Sequence, residues 1–249
     1  MTPELGDYER RRYARQLALP GWDVAAQVRL ADATVCILGA TPEAAATALA
    51  LAGAGVGTLV LDAGLGDVPA RVAALTTLCA VRVGADPAAA DGSIRSRNSL
   101  WRCAPGADAV VEAGAGAAVR AALDGWARGA RVPWVIAVSD GWDAQVAVLD
   151  QRVAGAPCAR CVWPVPDQGR AESDAPPAPV AAWAGALAAL EVVKLLGQGG
   201  SAGHARLMLL SGLAGDVRML RLRRDPACPA HGDDDGSAGA SARGSAGAA

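Results

Sequence analysis

Two pairs of metal-binding residue types stand at knuckle spacing in the second half of the chain, Cys158-Ala159-Arg160-Cys161 and Cys228-Pro229-Ala230-His231. Side chains three positions apart can turn toward one ion, and three thiolates with one imidazole make a tetrahedral set suited to Zn²⁺. Four protein ligands leave no open coordination position, so the expected zinc is structural: it would hold the C-terminal segment to the loop after Asp150 and activate no water. The alternative is a pair of remnants without metal. The other cysteines, Cys36, Cys79 and Cys103, lie in apolar or mixed runs without a sequence partner, and His204 is the only histidine outside the cluster. These three thiols read as buried or inert.

A second group lies between an apolar run and a helical one, Gly39-Ala40-Thr41-Pro42-Glu43-Ala44. A hydroxyl, then proline, then an acid is the usual order of a helix start: Thr41 caps, Pro42 needs no partner for a missing N–H, and Glu43 faces the positive helix end. Asp62 closes the next apolar run, a position from which an acid can meet a ribose, although acids at strand ends are common.

These residues require a frame. Thr34 to Leu38 and Thr58 to Asp62 read as strands around a helix that runs to about Ala54 and ends at Gly55 and Gly57, a βαβ unit with the right-handed crossover expected of parallel strands. Further strands are expected at Ala109 to Glu112, Trp134 to Val138 and Ala144 to Asp150, with a helix over Ala117 to Gly129. A loop over Asp167 to Pro179 leads to the helix Val180 to Gly197, and the strands Ala205 to Leu210 and Val217 to Leu222 follow as an antiparallel pair. The fold class is α/β, a doubly wound, mostly parallel sheet with antiparallel C-terminal strands. Residues 1–32 form a helical arm, 33–232 the domain with its metal cluster, and 233–249, rich in Asp, Gly, Ser and Ala, a tail too polar to order itself.

Composition narrows the function. Aromatic residues are 4% and hydrophobic ones 52%, so Ala and Gly must let helices lie close to the sheet. Net charge is -2 and no Lys/Arg run alternates with aromatics, which argues against nucleic acid. The segment Val180 to Leu196 is broken by Glu191 and Lys194 and reads as a buried helix, so no membrane partner is expected. The first twelve residues are polar and charged, unlike a secretory signal, and a cytoplasmic location is expected.

Several runs carry a resemblance. Arg12-Tyr13-Ala14-Arg15-Gln16-Leu17, Leu19-Pro20-Gly21 and Gln27-Val28-Arg29-Leu30 occur in the order in which ThiF, MoeB and HesA proteins carry R-Y-x-R-Q-L, L-P-G and Q-x-R-L. The likeness resumes at Ala54 to Leu59, at Gln145-Val146, at Ala189 to Leu196 and at Leu220 to Pro226. The chain thus resembles the ThiF/MoeB/HesA family of ubiquitin-like-protein activating enzymes. That resemblance implies a Rossmann-like fold, a dimer, ATP and Mg²⁺ as cofactors, a ubiquitin-like sulfur carrier as partner, and adenylylation of the carrier's C-terminal glycine. It also gives Arg15 a role, an arginine finger reaching into the partner's ATP site, against the alternative of an exposed residue on an amphipathic helix.

The departures are selective. Of the family's G-x-G-x-x-G only Gly39 remains; Pro87 stands where the family has a phosphate-binding lysine, and Ala115 where it has the Mg²⁺-holding aspartate. The crossover run Glu172 to Pro177 lacks the cysteine some members use. Gly39 and Asp62 are left as a degenerate nucleotide site, and these losses argue against ATP and Mg²⁺. Glu112 reads as a strand-end acid facing solvent, with a displaced metal ligand as the alternative. The leading expectation is a non-catalytic partner or scaffold subunit, in a homodimer or a heterodimer with an active homologue. The alternatives are an adenylyltransferase with a rebuilt site, using Asp62, Glu112 and Arg15, and a homodimeric module for another small ligand.

Overall fold

The computed structural model describes residues 4–84, 106–163, 175–198 and 205–231. The expectations placed on Pro87, Cys103, Glu172 to Asp174, His204 and the tail from Asp233 lie outside the described residues.

Three short helices open the chain, α1 (Asp7–Arg12), α2 (Ala14–Leu17) and α3 (Val24–Asp32). Between α2 and α3 lies Leu19-Pro20-Gly21, with Gly21 at φ 79°, and α3 restarts when the Asp23 side chain accepts the Ala26 amide at 2.7 Å. The helical periodicity over 8–32 is therefore divided. Leu30 of α3 is fully buried in the main core, so this part of the segment belongs to the globule.

Strand β1 (Thr34–Leu38), helix α4 (Pro42–Ala54) and strand β2 (Thr58–Leu61) form the expected parallel unit, with Thr34 opposite Thr58 and Ile37 opposite Leu61. Helix α5 (Val68–Leu75) and strand β3 (Ala80–Val83), not anticipated from the sequence, extend it; β3 is largely exposed, so no apolar alternation marks it. Then come β4 (Ala109–Ala113), α6 (Ala117–Ala130), β5 (Pro133–Asp140), β6 (Asp143–Asp150), α7 (Ala159–Val162), α8 (Ala178–Gly197), β7 (Arg206–Ser211) and β8 (Asp216–Arg221). The sheet order is β3-β2-β1-β4-β5-β6-β7-β8; the first five strands are parallel and the rest antiparallel. The strand order reverses between β1 and β4, which opens a crevice at their carboxyl ends.

Alternate residues of each central strand face opposite layers. Val35, Ile37, Val111 and Val135 join α3, α4, α5 and α8 on one side, while Cys36, Leu38, Val110 and Trp134 join α6 and α7 on the other. Both faces are covered, as a parallel sheet requires. Helix α8 lies against α4 through Ala184, Gly185 and Ala188, all buried. A Cβ on Gly185 would stand 2.4 Å from the Glu43 carbonyl oxygen and 2.8 Å from Ala46 Cβ, so the two helix backbones touch there. Glu191, 1% exposed, pairs with Lys194 and with Arg206 of β7, which neutralises the one acid on the buried side of α8.

Gly185→Ala should therefore cost about 1–3 kcal/mol through overpacking. Gly125→Ala, in α6 with nothing within 4 Å of the added Cβ, should be neutral or stabilising by up to about 1 kcal/mol. Urea denaturation of both variants checks the pair; equal effects would contradict the close α4–α8 contact.

Candidate functional site

The crevice at the carboxyl ends of β1 and β4 holds a cavity of about 580 Å³ whose lining includes Thr41, Glu43, Gly114, Arg120, Asp140 and Trp163. Gly39 leaves β1 at φ 117°, and a Cβ there would stand 2.0 Å from the Ala113 carbonyl oxygen, so glycine is required by the neighbouring strand. Its N–H donates to Asp62 Oδ2 at 3.0 Å, while Asp62 Oδ1 accepts from the Gly64 amide at 2.9 Å. Asp62 is buried, and both of its oxygens hold backbone amides.

The first turn of α4 is likewise occupied by the chain itself. Thr41 Oγ1 donates to the Ala113 carbonyl at 2.9 Å and accepts the Ala44 amide at 3.3 Å, and Pro42 has no N–H to offer. The Glu43 carboxylate, 4% exposed, accepts from the Ser139 hydroxyl. Acids Glu43, Asp140 and Asp143 line the cavity, and Arg120 is its one basic lining residue among the described residues. The first turn of α4 thus carries an acid, Glu43, whose carboxylate is bonded to Ser139 of β5.

Glu112 corrects an expectation. It does not face solvent: it is fully buried, its Oε2 accepts from Arg120 Nε at 3.0 Å and its Oε1 from the Ala115 amide at 2.8 Å. Burial pushes its carboxyl above the usual range, and the Arg120 guanidinium partly offsets that rise. Arg120 in turn stacks 5.0 Å from the Trp163 ring centroid, and Trp163 Nε1 donates to Gln145 Oε1 at 3.4 Å. None of Ser139, Arg120 or Trp163 was singled out from the sequence. Their roles come from contacts between separate elements, and no spacing motif announces them.

The four expected metal ligands do come together. Cys158, Cys161, Cys228 and His231 place their ligand atoms within 4.8 Å of one another. The Cys158 Sγ to Cys161 Sγ and Cys158 Sγ to Cys228 Sγ distances are both 3.7 Å, and Cys161 Sγ lies 3.4 Å from His231 Nε2. A tetrahedral zinc with Zn–S near 2.3 Å sets its sulfurs roughly 3.8 Å apart, so the donor set fits that ion. Burial and the neighbouring Asp124 push the Cys158 thiol up, so a cation is what would hold it as thiolate. Cys36 and Cys79 are buried, and burial pushes the Cys79 thiol up to about 11, which leaves it protonated at neutral pH. Arg15, on α2, is exposed on the surface of the single chain.

The ThiF family profile matches residues 70–230 of the chain. The chain belongs to the ThiF family. The adenylyltransferase and sulfurtransferase MOCS3 of Bos taurus is 31% identical to this ThiF-family chain over 246 residues, a match that covers 90% of the chain and 54% of the bovine protein. The chain thus spans about half the length of that relative. The sulfur carrier protein ThiS adenylyltransferase of Escherichia coli is 29% identical over 248 residues, covering 92% and 97%. Among solved structures, the microcin C7 biosynthetic enzyme MccB in complex with N-formylated MccA superposes with a TM-score of 0.72 at 19% identity, over 92% of this chain and 77% of that one. That likeness is one of fold.

Removing the cation beside a buried carboxylate is costly, and Arg120→Gln should lose about 3 kcal/mol at pH 8. The pH dependence has a definite sign. An acid whose folded pKa lies above its unfolded one loses stability as pH rises through that interval, and removing Arg120 widens it. The deficit of Arg120→Gln relative to the parent should therefore shrink as pH falls toward 5; denaturation curves at the two pH values decide, and an equal deficit would contradict the pairing.

Proposed function

We propose that this ThiF-family chain is a cytoplasmic, non-adenylylating subunit of a carrier-activation system, which pairs with an active relative or a ubiquitin-like sulfur carrier. One observation carries the reading: at the switch point, the groups a nucleotide phosphate would use are held by the chain's own residues. Thr41 bonds Ala113 and Ala44, Asp62 bonds two amides, and Glu43, in the first turn of α4, pairs with Ser139. At Ala115, where the family resemblance calls for the Mg²⁺ aspartate, the side chain is a methyl and the amide is bonded to Glu112. The exposed Arg15 is the residue such a subunit would lend to a partner's site, as an arginine finger across a dimer interface. The sulfur-carrier partner is supported by the names of relatives such as the ThiS adenylyltransferase.

A second reading, an adenylyltransferase with a rebuilt site, is favoured by the 29–31% identity to proteins that bear that activity in their names. Calorimetric titration with Mg²⁺ and ATP, alongside ATP–pyrophosphate exchange with candidate carriers, separates the two. The proposed subunit gives no heat at millimolar nucleotide and no exchange above background. Micromolar binding or measurable exchange would reverse the order.

We also assign a structural zinc ion to Cys158, Cys161, Cys228 and His231, supported by the fit of their mutual distances to a tetrahedral set. It would tie the segment after β8 to the loop after β6. Purified protein should contain about one zinc per chain, and stripping it should lower the thermal midpoint by several degrees, since metal binding to the native state alone adds to its stability. Cys228→Ser should abolish stoichiometric zinc; metal analysis that finds none in the parent protein would refute the assignment.

A further inference from the structure

Helix α6 touches both halves of the metal quartet. Asp124, 4% exposed, accepts the Ala159 amide on Oδ1 at 2.7 Å. That amide opens α7, the short helix that carries Cys161, and the residue before it, Cys158, makes no side-chain cap of its own. One turn further along α6, Arg128 Nη1 donates to the Ala230 carbonyl at 2.6 Å, and Ala230 lies between Cys228 and His231. Residues four apart share one helix face, and here they also meet each other, with Arg128 Nε 4.0 Å from Asp124 Oδ2.

Both contacts fall on the backbone of a knuckle and leave the ligand atoms themselves untouched. The two knuckles stand 70 residues apart in the chain, so an ion alone would have to bring them to one point. Ordering a segment costs conformational entropy, and ligands already held in place ask less of the ion that binds them. We propose that Asp124 and Arg128 are positioning residues for the zinc assigned to Cys158, Cys161, Cys228 and His231: one turn of α6 holds a knuckle at each end and sets the two at the separation a tetrahedral ion requires. The inference rests on that assignment. Charge alone predicts the opposite sign for Arg128, because a guanidinium beside a cation site repels the cation, and its removal would tighten binding.

The test loads the full chain with zinc and titrates it with a colorimetric chelator, so that the zinc transferred gives the affinity. Arg128→Ala and Asp124→Ala should each hold zinc about 10- to 100-fold more weakly than the parent. Asp124→Asn, whose amide oxygen can still accept from Ala159, should lose less. Arg160→Ala removes an exposed arginine from within the first knuckle and should bind at least as tightly as the parent. Residues that merely supported α6 would lower the urea midpoint and leave zinc transfer well below that midpoint unchanged. Should Asp124→Ala fail to fold, Arg128→Ala carries the test, since its side chain is 26% exposed. The inference is overturned if Arg128→Ala holds zinc as tightly as the parent, if Arg160→Ala weakens binding as much, or if Asp124→Asn loses as much as Asp124→Ala. A parent that takes up no zinc overturns the zinc assignment itself, an outcome read before any variant is made.

Discussion

Backbone polar groups that become buried must find partners, and at the switch point of this sheet the chain supplies those partners itself. The turn after β1 is fastened to β2 through the Gly39 amide and Asp62, and to β4 through the Thr41 hydroxyl and the Ala113 carbonyl. The turn after β4 is fastened by Glu112, which takes the Ala115 amide on one oxygen and Arg120 on the other. Leaving one of these buried groups without its partner would cost of order 1–3 kcal/mol. Three carboxylates, Glu43, Asp140 and Asp143, line the crevice beside these bonds.

The same economy of space governs the helical layer. With few aromatics, the chain fills its interior by drawing backbones together, and Gly185 allows α8 to touch the first turn of α4 directly. The one Thr47 hydroxyl proton is shared between the Glu43 carbonyl, at 2.8 Å, and the Gly185 carbonyl, at 3.1 Å, so the helix pair is joined by a polar contact as well as by methyl groups. Because α4 begins at the crevice, its position there is fixed by the packing of α8 several residues away. Core and site are coupled through one helix.

How much of this was legible depended on whether the signal was local. The metal quartet was readable because each pair sits three residues apart, and α4 because Thr41, Pro42 and Glu43 form its start in sequence. The central strands were readable as apolar runs because both faces of the sheet are covered. Strand β3 was not, since Arg82 and Val83 face solvent and no alternation survives at that edge. Glu112 was misread for a similar reason: its fate depends on Arg120, eight residues later on another element, and a strand-end acid looks the same whether a cation is waiting or not. Ser139 on β5 and Trp163, the residue after α7, line the crevice, and only the folded chain places them beside Glu43 and Arg120.

The separation of 70 residues between Cys158 and Cys228 has a topological meaning. With an ion seated among the four ligands, everything from α7 through α8, β7 and β8 becomes a closed ring, shut by coordination bonds instead of a covalent one. A single peptide-bond cleavage within that ring would open a nick without parting the molecule, because both ends would still be held by the same ion. The link would also be reversible: a stronger chelator could unfasten it, and returning the metal could fasten it again.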